Sequence, residues 1–218
     1  MIKAIKLAIL KVFLGVFVLC VFQMNVLSRF ILNGTSDGFE DAEQTVIEGY
    51  IIEGAGYFLK SQSDTLLLLN KIELSDLDGV DFTELQKLAN DALMNMVNAK
   101  AKYVLLTQTA NTAPYKQTII DQLKSFDYCT FKQEKDLNSV IFEKVEAYLV
   151  SGDIRGIYQK ILIDTETIID KLTSIKSIVD TGRLPATSDL WRLNQNYSET
   201  LFLGQYAAEI FFEITGKK

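Results

Sequence analysis

The chain has 218 residues, is 48% hydrophobic and 23% charged, and holds only 2 Pro and 12 Gly, the composition of a folding chain rather than a disordered or collagen-like one. It contains no histidine, which excludes Ser-His-Asp and Cys-His nucleophile systems, the common zinc sites, the Glu-x-x-His di-iron bundle and an imidazole pH switch. Net charge is -6, but four of the 22 bases lie in residues 1–33 beside no acid, leaving 18 bases against all 28 acids in the rest; such a body repels phosphate backbones, so nucleic acid is not an expected partner.

Residues 1–11, MIKAIKLAILK, are apolar with three lysines, and residues 12–22, VFLGVFVLCVF, form an unbroken apolar run. Gln23, Asn25, Ser28 and Arg29 follow. A basic segment ahead of a short apolar run is the pattern of a secretory signal. The run is short for a spanning helix, which wants about 20 apolar residues. Residues 1–33 are therefore expected to be a cleaved signal peptide or an uncleaved N-terminal anchor. Val26-Leu27-Ser28 is the tolerable cleavage site, and bulky Leu19 argues against lipid attachment at Cys20. Either way the body, residues 34–218, is expected outside the cytoplasm as a single helical domain, periplasmic, secreted or tethered. Membrane contact would come only through residues 1–33.

Residues 33–38, NGTSDG, are turn formers and mark the edge of the folded part. A first helix is expected from Phe39 to Leu74, with a break near Ser61-Gln62-Ser63-Asp64. Its apolar set is Val46, Tyr50, Ile51, Tyr57, Phe58 and Leu66 to Leu69. A second is expected from Thr83 to Thr109, with Leu85, Leu88, Ala92, Met96, Ala99, Tyr103 and Leu106 at three- and four-residue steps. Pro114 is placed at the first position of a shorter helix reaching Phe126. Another short helix is expected over Leu137–Val150, and Ser151-Gly152-Asp153 reads as a stop and a new cap.

A helix over Asp153–Asp180 follows, with Ile154, Ile157, Ile161, Ile168, Leu172, Ile175 and Val179 on one face, ended by Gly182 and Pro185. The last helix is expected from Thr187 to Ile214, with Leu190, Leu193, Tyr197, Leu201 and Ala208 buried. The fold class expected is all-α: an antiparallel bundle of about four long helices, with two shorter ones in a connection.

Three groups are candidate sites. Asp76, Asp78, Asp81 and Glu84 surround Gly79, an arrangement that could hold a cation; the simpler assignment is a turn, with Asp81 capping the next helix and Glu84 as its third-position partner. Gly49, Gly54 and Gly56 lie inside a helix, where each costs up to ~1 kcal/mol relative to Ala. Close helix packing or room for a ligand would offset that, with Glu48 and Glu53 as polar guides. Trp191, Phe202 and Tyr206 belong to an aromatic-rich last helix that is either buried on two sides or meets a partner or apolar ligand. Cys129, the one cysteine of the body, is expected to be a small core residue. Glu143/Glu146 and Asp164/Glu166/Asp170 are expected on solvated helix faces.

Neither GxGxxG nor GxxxxGK[ST] occurs, and no cofactor is expected. The function expected is a non-enzymatic, exported helical module that binds a protein or small ligand. The alternatives are a carrier of an apolar ligand in the bundle core, and an enzyme using carboxylates or a bound cation.

Overall fold

A computed structural model describes residues 33–216, except the side chains of residue 33 and residues 75–78. The signal or anchor segment, residues 1–32, lies outside the described residues. A 3-10 turn, Asn33–Gly38, leads into seven α-helices. They are α1 (Asp41–Asp78), α2 (Phe82–Thr112), α3 (Gln117–Ser125), α4 (Tyr128–Lys135), α5 (Ser139–Leu149), α6 (Arg155–Asp180) and α7 (Thr187–Thr215). Among the described residues there is no β-strand, only an isolated bridge between Phe39 and Tyr115, and no helix is long and apolar enough to cross a membrane.

The four long helices run alternately up and down and pack as α1–α2–α6–α7, with α7 closing back on α1. Their apolar residues recur at three- and four-residue steps, which puts them on one face of each helix. On α2 these are Leu85, Ala89, Ala92, Met96, Ala99, Tyr103, Leu106 and Ala110. The four alanines bring neighbouring backbones close, and the α1–α2 contact is the most extensive in the molecule. On α6 the set is Ile157, Ile161, Ile168, Leu172, Ile175 and Val179, and on α7 Leu190, Leu193, Tyr197, Leu203, Ile210 and Phe211. Each such side chain, fully buried, is worth about 1.5–3 kcal/mol. α5 lies against both α6 and α7, with Phe142 facing Tyr206 at 6.3 Å.

One pole of the bundle gathers the 3-10 turn, the start of α1, the end of α2, the start of α6 and the end of α7. Arg155 closes it. Its Nε donates to Ala110 O at 2.6 Å and its Nη2 to Ala113 O at 2.7 Å, carbonyls that the end of α2 leaves unpaired. Its Nη1 meets Asp153 at 2.7 Å, and its guanidinium lies 5.7 Å from the Phe39 ring centroid and 5.4 Å from that of Tyr115. A positive charge at a helix C-terminus also matches the helix dipole.

The 33–38 turn formers make a 3-10 turn that packs into this pole: Thr35 and Ser36 are fully buried, and Thr35 Oγ1 lies 2.9 Å from Tyr158 Oη. The pole corrects two expectations. Pro114 does not open a helix. Glu40 N donates to Pro114 O and Lys116 N to Gly38 O, which holds residues 114–116 extended, so α3 starts at Gln117. The connection holds three short helices rather than two. The extra one, α4, is capped by the Asp127 side chain on Thr130 N and places Cys129 in solvent, because Tyr128 and Phe131 take its buried face.

α1 corrects two more. It is continuous through residues 61–64, because the polar side chains there are bonded inside the bundle instead of turning the chain. Val46 and Leu67 of its apolar set are exposed, so the helix is not buried all round; Ile47, Ile51, Phe58, Leu68 and Leu69 form its buried face.

Candidate functional site

The feature that departs most from an ordinary solvated surface is the outer side of α1 and α2. From Ala92 to Tyr115 the only charged residues are Lys100 and Lys102. Both are drawn off to the flanks. Lys102 pairs with Glu53 of α1, and Lys100 pairs with Glu166 of α6 at 2.9 Å. The strip left between them is uncharged. Met94 is 50% exposed, Val97 41% and Leu105 39%, with Asn98, Ala101 and Gln108 also exposed. On α1, Val46 is 46% and Ile52 40% exposed, and Gly49 and Gly56 are half-buried. A Cβ built on either glycine meets nothing within 4 Å, so this part of α1 is smooth and open.

On the outside of the two helices lies an open groove of about 370 Å³ lined by Lys60, Ser63, Asp64, Asp91, Met94 and Asn95. Asp64 Oδ2 accepts from Asn95 Nδ2 at 3.0 Å. Burial raises the Asp64 carboxyl above its ordinary value; the Asn95 bond opposes this, and nearby Asp91 adds to the rise. A smaller crevice of about 40 Å³ opens among α5, α6 and α7, lined by residues that include Lys144, Lys160, Asp164 and Glu199. These four pair as Lys160–Asp164 and, at 3.9 Å, Lys144–Glu199.

The glycines of α1 divide between two roles. A Cβ on Gly54 would sit 2.5 Å from Tyr103 Cε1, so that glycine lets the Tyr103 ring lie against α1. Gly49 and Gly56 face outward. Phe202 lies on the α5 side of α7, 5.9 Å from Tyr206 and 41% exposed. The last helix is therefore not buried on two sides at this point. Tyr206 is buried, and its hydroxyl accepts from Asn138 N at 3.2 Å. Trp191 is at the opposite pole, 45% exposed, with its Nε1 donating to Glu73 at 3.2 Å. Gly54 at the α1–α2 seam, Phe202 beside α5 and Trp191 at the far pole thus line no common cavity.

At the α1–α2 turn, Asp81 accepts from Thr83 N at 3.0 Å and Glu84 N at 3.1 Å as the N-cap of α2. Glu84 reaches Lys71 at 2.9 Å rather than the cap backbone. The Asp76 and Asp78 side chains lie outside the description. Among the described residues no three acidic or thiol side chains gather as a metal site.

Two clusters escape sequence reasoning. One is Arg155 with its ring and carbonyl partners. The other is a column of buried hydroxyls: Tyr197 Oη lies 2.6 Å from Ser61 Oγ and 3.2 Å from Thr65 Oγ1, and Ser61 Oγ donates to Ala92 O at 2.7 Å. Burial pushes the Tyr197 phenol well above its usual range. The face signal, by contrast, is present in the sequence as the charge-poor stretch 92–115.

No family model, curated protein or solved structure matches the chain.

Proposed function

We propose that the protein is an exported helical interaction module, non-enzymatic, whose working surface is the outer side of α1 and α2. The observation that supports this is the charge-free strip Met94–Val97–Ala101–Leu105. Solvated helix faces in a chain that is 23% charged normally carry charges every turn, and contiguous exposed apolar surface marks a contact site. The two ion pairs flanking the strip hold the nearby lysines aside, leaving an apolar centre with a polar rim, the anatomy of a protein interface.

Export rests on residues 1–33: three lysines and then an uncharged 11-residue apolar run. The folded body begins immediately behind this segment, tied at the Arg155 pole through Thr35 and Tyr158. An anchored chain would stand on that pole, with the α1–α2 strip running away from the membrane.

The export half is tested by fusing a reporter enzyme that is active only outside the cytoplasm to the C-terminus of the full chain. Reporter activity that disappears on deletion of residues 1–33 is the expected result. Equal activity with and without those residues, or none with either, contradicts export.

A further inference from the structure

We propose that the α1–α2 face takes a partner protein through an arginine side chain, which enters the groove at Asp64 and Asp91 while apolar residues beside it lie on Met94 and Val97. This rests on the interaction function above and names the chemistry of the partner.

The groove carries negative charge that the fold leaves unmatched. Asp64 of α1 and Asp91 of α2 both line it, and the two are near enough for the Asp91 charge to act on the Asp64 carboxyl. None of the ion pairs among the described residues includes either aspartate. Other acids of these helices are matched, Glu53 by Lys102 and Glu84 by Lys71. Lys60 lines the groove too, but its ammonium lies 5.6 Å from the centroid of the Tyr57 ring, a cation–π position and not an ion pair. Asp64 engages Oδ2 with Asn95 at 3.0 Å, and among the described residues its Oδ1 accepts no hydrogen bond. A half-buried carboxylate beside a second one, with no counter-ion, destabilises the unbound chain. A cation supplied from outside relieves both the desolvation and the repulsion.

Size and donor chemistry favour an organic cation over a metal ion. The groove measures about 370 Å³, against the ~30 Å³ share of one water in the liquid, so it has room for a whole side chain. Asn95 turns an N–H to Asp64, not an oxygen that would join a coordination shell. A guanidinium suits two carboxylates from two helices. Its planar fork of N–H donors can serve the open oxygen of Asp64 and the Asp91 carboxylate together, where an ammonium offers only a point charge. Met94 belongs to both the groove and the apolar strip, at 50% exposure, and Val97 follows at 41%. A flexible thioether adapts to the apolar stem of an entering arginine. The body, with 28 acids against 18 bases, steers a basic segment towards it.

The test places a photo-crosslinking amino acid at exposed Val97 in the full-length chain, expressed in its native host, with the same substitution at exposed Thr173 of α6 as control. The expected product, absent from the residue 173 control, joins residue 97 to one partner peptide that contains an arginine. Asp64→Asn with Asp91→Asn lowers its yield at least about tenfold with no loss of melting temperature. Replacing that arginine by glutamine in the partner lowers it equally with this chain untouched. A product whose yield ignores the two aspartates, or ignores every arginine of the joined peptide, overturns the arginine groove and leaves the interaction function standing. No product beyond the residue 173 control overturns both.

Discussion

The Tyr197 hydroxyl sits 2.6 Å from Ser61 Oγ, inside the bundle where α1, α2 and α7 meet. Ser61 gives its own proton to Ala92 O at 2.7 Å, and Thr65 gives its proton to Ser61 O at 2.9 Å. Tyr197 is left as the donor to Ser61. One phenol thus links three helices through a fully occupied set of donors. Removing it by Tyr197→Phe leaves Ser61 with a lost acceptor contact and is expected to cost about 1–2 kcal/mol. Denaturant unfolding measures this, and Ser61→Ala combined with Tyr197→Phe should cost less than the two single changes summed.

The α1 glycines separate packing from propensity. Gly54→Ala drives a Cβ into the buried Tyr103 ring and is expected to destabilise by about 1–3 kcal/mol. Gly49→Ala and Gly56→Ala meet open space and are expected to stabilise by up to about 1 kcal/mol each through helix propensity alone. Thermal melts of the three variants decide it; stabilisation by Gly54→Ala would contradict the close approach.

How much of this was legible beforehand depends on what each residue does. The stripes of α2 and α6 were plain because apolar side chains at helical spacing have one physical use. The cap at Asp81 was legible because a carboxylate before a helix has unpaired amides to meet. Ser61-Gln62-Ser63-Asp64 resembles a break because the same side chains compete with the helix backbone when exposed; only the positions of Tyr197 and Asn194 on α7, far along the chain, make Ser61 and Gln62 core. Cys129 failed for a related reason, since the aromatic pair Tyr128 and Phe131 claims the inner face of α4. The outer strip of α2 was written in the sequence as missing charge, but the heptad assigned to burial hid a second apolar line on the same helix.

Arg155 is expected to be irreplaceable by lysine. A single ammonium cannot serve Ala110 O, Ala113 O and Asp153 together, nor present a planar cation to the Phe39 and Tyr115 rings. Arg155→Lys should lose about 2 kcal/mol, with hydrogen exchange accelerating first at the C-terminal turn of α2. Uniform loss of protection across the bundle would contradict a local closing role.

Asp64 sets a pH signature. Its carboxyl is raised in the folded chain, first by burial, so the folded state binds the proton more tightly than the unfolded one. Stability contributed by protonation is present below the ordinary value of 3.8 and is lost as pH rises through the raised folded value. Asp64→Asn keeps an acceptor for Asn95 and removes the buried charge. Its melting temperature should exceed that of the parent at pH 7, and the difference should shrink as pH falls towards 4. A difference independent of pH would contradict this.

The account stands or falls on the outer strip of α2. The most direct measurement is native electrophoresis of the full-length protein from its own host, comparing the parent with Val97→Lys/Leu105→Lys and with a control pair of lysines at Thr173 and Ser174 on the exposed side of α6. The account predicts that parent and control migrate as one complex larger than a single chain, and that the strip variant collapses to the single-chain position with its melting temperature intact. Identical migration of all three would contradict it.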